Sequence, residues 1–162
     1  MSTHRSGRAL LLGAVAVAYA LMLLPWPGAS SWLKPYWPAL VLLYFAIETP
    51  ERIGPVSAFV IGLIGDLLYG TLLGEQALRL SAAVFIAQRF RARLRFFPIA
   101  QQSLAIGAIL LNDRILAFLI RVFGGDGTPP PPFWLAPLSG ALLWPWCFLV
   151  LDLLAHRERR AA

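Results

Sequence analysis

Apolar residues fall along this chain in six runs, over residues 9–26, 35–48, 53–73, 77–90, 98–123 and 133–155, parted by short stretches rich in Pro, Gly and charge. A helix crossing a bilayer takes about 20 residues, so each run predicts one transmembrane helix and the whole predicts a single membrane domain. The second run is short and ends at Pro50, because proline disfavours helix at the residue before it. Trp32, Tyr36 and Trp37 at its start are expected to anchor it at the lipid–water interface. The first run follows His4, Arg5 and Arg8 and could be cleaved as a signal peptide near Gly28, Ala29 and Ser30. The rest of the chain is equally apolar, which favours a retained first helix.

Composition agrees with this pattern. Hydrophobic residues make up 59% of the 162 positions and charged residues 14%, against about 25% charged in soluble domains. A water-soluble globule and a disordered chain are both excluded on that ground. Cys147 supports no disulfide framework, and His4 and His156 lie in the polar tails, so neither a metal nor a cofactor is expected.

The net charge of +6 becomes informative once it is placed. If the six helices alternate across the bilayer, Arg5, Arg8, Arg52, Arg89, Arg91, Arg93, Arg95, Arg157, Arg159 and Arg160 share one side. Lys34, Glu75 and Asp126 fall in the loops of the other. By the positive-inside rule both termini are then cytoplasmic, and the fold is an all-α polytopic bundle of six transmembrane helices. The run from Gly124 to Pro132 becomes an outer loop, flexible at its glycines and extended at its four prolines.

Two features inside the runs carry candidate chemistry. Gly54, Ala58, Gly62, Asp66, Gly70 and Gly74 recur every four residues, with Gly65 beside them, a small-residue ridge that lets helix backbones approach closely in lipid. It predicts either tight packing within the chain or an interface to another subunit, including a second copy. Asp66 is the sharpest single residue, since a carboxylate within the bilayer is costly and faces a partner or a cavity. At about 1.5 Å per residue, Asp66, Asp113 and Arg114 all lie roughly 20–24 Å from the arginine-rich side, with Arg79 within reach. A polar cluster of Asp66, Arg79, Asp113 and Arg114 is expected, with Asp66 paired to Arg79 or Arg114. That pair fixes helix register, marks a protonation or ligand site, or makes a contact with a partner.

Gly62-x-x-Gly65-Asp66 also approaches the Gly-x-Gly-Asp pattern of intramembrane aspartyl proteases, one residue out of step. Such chemistry needs two carboxylates sharing a proton, and Arg114 beside Asp113 would keep the second one ionised. No nucleophile elbow, zinc helix or phosphate loop is present, and an enzyme is not expected. Arg89, Arg91, Arg93 and Arg95 alternate with Phe90, Ala92, Leu94 and Phe96. They predict arginines snorkelling to the cytoplasmic interface, where anionic lipid heads or a cytoplasmic partner could meet them. Nucleic acid is not expected, because topology accounts for the charge.

The order of these signals resembles one family. Pro38 followed by Tyr44, Pro50-Glu51-Arg52-x-Gly54, the stretch from Gly62 through Asp66, Gly70 and Gly74 to Ala77-Leu78, Phe97-Pro98-x-x-Gln101-Gln102, and Leu143-Trp144-Pro145 together look like the bacterial rod shape-determining protein MreD family. Asn112-Asp113-Arg114 and the four-proline loop depart from the expected pattern. The resemblance implies a scaffold of the elongation machinery that controls cell shape and lateral peptidoglycan synthesis. Its implied direct partner is MreC, with the wall-synthesising transpeptidase and glycosyltransferase, MreB and RodZ in the same complex. Besides the glycine ridge, the aromatic sixth helix through Trp144, Pro145 and Trp146 is a candidate partner face. The family also resembles in architecture the S subunits of energy-coupling-factor transporters, so a membrane subunit binding or transporting a small molecule is the alternative.

Overall fold

The computed structural model describes residues 2–125 and 127–161, and every regular element among them is helical. Asp126, expected in the outer loop, and the side chains of His4, Arg5, Trp32 and Arg159 lie outside the described residues. The helices are α1 (Ser2–Leu23), α2 (Trp37–Glu48), α3 (Pro55–Tyr69), α4 (Glu75–Arg89), α5 (Arg91–Leu94), α6 (Ile99–Gly124) and α7 (Ala136–Ala161). Two 3-10 turns, Gly28–Leu33 and Pro131–Leu135, join α1 to α2 and precede α7.

Each apolar run yields a helix, but their lengths differ in kind. α6 and the stretch Pro131–Arg157 are long and apolar enough to cross a membrane. α2 has 12 residues, about 18 Å of helix, well short of the roughly 30 Å hydrocarbon core. All of Pro38 to Ile47 is buried. A helix apolar on every side sits wherever its whole circumference can be covered, and α2 is the central post of this bundle, touched by α1, α4 and α7. Around it α3 packs on α4, α4 on α6, α6 on α7, and α7 on α1.

The ends follow local chemistry. Pro38 and Pro55 lie in the first turns of α2 and α3, where a missing N–H costs nothing. Ser57 Oγ accepts from the Gly54 backbone N–H at 2.7 Å, fixing the entry to α3. Lys34 donates to the carbonyls of Met22 and Leu24 at the end of α1, the terminus where the helix dipole favours a cation.

The third run was expected to stay helical through Leu73, yet α3 stops at Tyr69. Gly70 and Gly74, with φ of +63° and +100°, occupy the left-handed region that costs an L-residue about 1–2 kcal/mol, and between them the chain reverses into α4. The fourth run forms α4, which ends at Arg89, and the single turn α5 follows with Arg91 and Arg93.

The basic segments gather at one pole. The Arg52 guanidinium lies over Gly7 of α1, with Nη1 3.4 Å from the Gly7 carbonyl. Gln88 of α4 donates to the Ile53 carbonyl at 2.7 Å. Arg91 Nε donates to the Ile47 carbonyl at the end of α2 (2.7 Å), and Arg95 stands 3.8 Å from Glu48. Tyr44 reaches Asp152 of α7 at 3.3 Å. The start of α1, the α2–α3 turn, the α4–α5 turn and the last third of α7 therefore lie together.

Candidate functional site

A buried polar framework lies toward the opposite pole, built on the turn between α3 and α4. Asp66, in the last turn of α3, is 1% exposed. Its carboxylate accepts from Thr71 Oγ1, Gly74 N and Gln76 N, each at 2.8 Å, and from Ala77 N at 3.4 Å. The first N–H groups of any helix lack intrahelical partners, and the helix dipole adds positive potential there. Asp66 is thus the N-terminal cap of α4, supplied by the preceding helix rather than by the residue at the cap position, which is glycine.

Arg79, one turn into α4, makes a two-pronged contact with Asp113 of α6, Nε to Oδ1 at 2.8 Å and Nη2 to Oδ2 at 2.6 Å. Its third nitrogen meets Glu75 at 3.3 Å, and its guanidinium stacks 4.8 Å from the Tyr36 ring centroid. Bidentate arginine–carboxylate contacts are short and orientation-specific, which suits a link between helices in a low-dielectric interior. Tyr36 donates to Gln76 Oε1 at 3.2 Å, and the Gln76 backbone returns to Asp66. One chain of polar contacts therefore runs from α3 through α4 to α6, with the residue preceding α2 attached.

The expected pairing of Asp66 with Arg79 or Arg114 is corrected by this geometry. Four donors from the α3–α4 turn and the start of α4 already surround Asp66, and Arg79 points across to α6. Arg114 lies instead over the Phe133 ring at 4.7 Å. Asp113 is held by Arg79, not by its neighbour Arg114. The two aspartates thus have separate partner sets, bonded to different groups rather than to each other. Among the described residues no buried side-chain nitrogen or oxygen lacks a hydrogen-bond partner, and no group of three or more His, Cys, Asp or Glu could hold a metal ion.

The glycine ridge divides into two kinds of position. Gly54, Gly70 and Gly74 are backbone punctuation at helix ends. Ala58, Gly62 and Gly65 are buried packing positions within α3. A methyl at Gly62 would overlap the Ala77 backbone, and one at Gly65 would meet the Tyr19 hydroxyl and Gln76 Oε1. Tyr19 itself donates to the Ile61 carbonyl at 2.9 Å, stapling α1 to α3. The close approach therefore serves the α3–α4 hairpin inside one chain.

The aromatic face of α7 is also divided. Trp144 is fully buried and donates to Gln102 Oε1 at 2.9 Å, while Gln102 Nε2 donates to the Leu94 carbonyl at 3.2 Å. α5, α6 and α7 are thereby tied together. Pro145 sits inside α7, and Trp146 is 69% exposed. Trp146 borders an apolar groove of about 490 Å³ lined by Gly13 and Val17 of α1, Val41 of α2, and Cys147 and Leu154 of α7.

The matching segments Gly62–Leu78, Phe97–Gln102 and Leu143–Pro145 thus include the residues that build these contacts. A family profile described as rod shape-determining protein MreD matches residues 4–154. The chain belongs to the MreD family. It is also 33% identical over 141 residues to the rod shape-determining protein MreD of Haemophilus influenzae, covering 87% of each chain. No solved structure matches it. Membership gives the chain a role in rod shape determination.

In this member of the MreD family, sequence reasoning missed Glu75, Gln76, Tyr36 and Gln102 as framework residues. Glu75 and Arg79 do stand four apart, the spacing at which helical side chains meet. Gln102 was visible only as part of the family pattern. Asp66→Asn is expected to cost about 2 kcal/mol, because an amide presents N–H groups to backbone donors and loses charge-assisted bonds. A lowered thermal midpoint in detergent checks it, and an unchanged midpoint would show that the charge on Asp66 contributes nothing to the cap.

Proposed function

We propose that this chain is a multi-pass scaffold of the bacterial cytoplasmic membrane, with its arginine-rich pole toward the cytoplasm and both termini on that side. It binds MreC directly and, in the same complex, connects the wall-synthesising transpeptidase and glycosyltransferase with MreB and RodZ. The observation that carries this role is the closed polar framework. A network in which every described buried polar side-chain atom is partnered holds helices in register and leaves contacts with other proteins to the outer faces and short loops. In lipid, such contacts rely on close packing and a few polar pairs rather than on hydrophobic burial.

Co-expression with MreC and affinity purification in detergent is expected to recover the two chains together, and reporter fusions at both tails to read cytoplasmic. Recovery of this chain alone with a retained small molecule would replace the scaffold by the transporter-subunit alternative. Tails on opposite faces would overturn the even number of crossings.

A further inference from the structure

A second groove, of about 380 Å³, opens between α4 and α6 at the arginine-rich pole. Ile86 and Phe90, Leu94 and Phe97, and Ala105 and Ile109 make its walls, with Arg93 and Asn112 as its polar members. We propose that this groove binds one acyl chain of an anionic phospholipid, with the lipid phosphate held by Arg93. The proposal rests on the membrane placement given above and names the lipid contact that the arginine run makes there.

Two independent observations carry it. The first is shape. The α6 residues that line the groove, Ala105, Ala108, Ile109 and Asn112, span about 10 Å of helix, and the lining is apolar apart from Arg93 and Asn112. Such an apolar slot suits a single hydrocarbon chain.

The second is charge. Of the four clustered arginines, Arg91 is committed to the end of α2 and Arg95 faces Glu48. Arg93 lines the groove, and neither its guanidinium nor that of Arg89, one turn beyond Ile86, has an ion-pair or hydrogen-bond partner among the described residues. An exposed guanidinium beside an apolar slot at the membrane interface is complementary to a phosphate followed by an acyl chain. The groove between α1 and α7 has no such charged lining residue.

The test is native mass spectrometry of the purified full chain, equilibrated in detergent with equal amounts of dioleoyl phosphatidylglycerol and dioleoyl phosphatidylcholine. One phosphatidylglycerol is expected to remain bound per chain, favoured about fivefold over phosphatidylcholine. Arg93→Gln should erase that preference and Arg93→Lys should keep most of it. Ala108→Phe, at an exposed wall position, should abolish retention of both lipids while the thermal midpoint without added lipid holds. Equal retention of the two lipids by the unaltered chain overturns the proposal. So does an Arg95→Gln effect as large as that of Arg93→Gln, or a second copy or protein helix released by Ala108→Phe. A chain that stays dissolved without detergent would instead overturn the membrane placement itself.

Discussion

Arg79→Leu, with Asp113 left in place, is expected to destabilise the bundle by about 3–5 kcal/mol, the cost of leaving one member of a buried ion pair uncompensated. Asp113 is 1% exposed and Arg79 8%, so neither charge can turn to water without opening the α4–α6 contact. Replacing both residues by leucine should recover most of the loss, since well-packed apolar residues substitute for a buried pair at little net cost. Arg79→Lys should fall between, because a point charge cannot reproduce the two-pronged contact. Thermal midpoints of the three variants in detergent separate these outcomes. A single variant as stable as the parent would mean that the Arg79–Asp113 contact contributes nothing to the fold.

Gly62→Leu is expected to prevent the α3–α4 hairpin from forming, a loss of about 3 kcal/mol or more, and to deplete the chain from membranes. Its hydrogen faces the Ala77 backbone, which cannot move aside as a flexible side chain could. Gly70→Ala is the informative contrast. Nothing lies within 4 Å of a methyl there, so only the left-handed backbone is penalised, by about 1–2 kcal/mol. Immunoblots of membrane fractions should show the first variant lost and the second retained. Equal abundance of Gly62→Leu would place α3 and α4 further apart than described, and would reopen that ridge as a face for another protein.

The contrast between these two glycines shows where sequence reading succeeds and where it stops. A four-residue recurrence of small residues is legible as a pattern, but a continuous helix from Gly54 to Gly74 was the wrong frame for it. Gly70 and Gly74 differ from Gly62 in backbone conformation and in what lies beside them, and no side-chain pattern encodes either. Asp66 was identifiable as a buried carboxylate with a structural partner, yet that partner proved to be the backbone of the next helix. Backbone N–H groups are identical at every residue, so a cap delivered from eight to eleven positions upstream leaves no mark in composition or spacing. Counting residues placed Asp113 in the outer half of the membrane with Arg79 within reach. Their mutual pairing depends on the rotation of α4 against α6, which depth does not contain.

The amino-acid order alone determined the all-helical membrane character, the number of apolar segments and the kinship with the rod shape-determining proteins, because these depend on hydrophobicity and local chain chemistry summed over each segment. Only the tertiary structure decided that α2 is a short central post, that Trp144 faces inward, and which carboxylate meets which donor. Those outcomes depend on azimuth and contact between segments distant along the chain, where a rotation of one residue exchanges an inward side chain for an outward one.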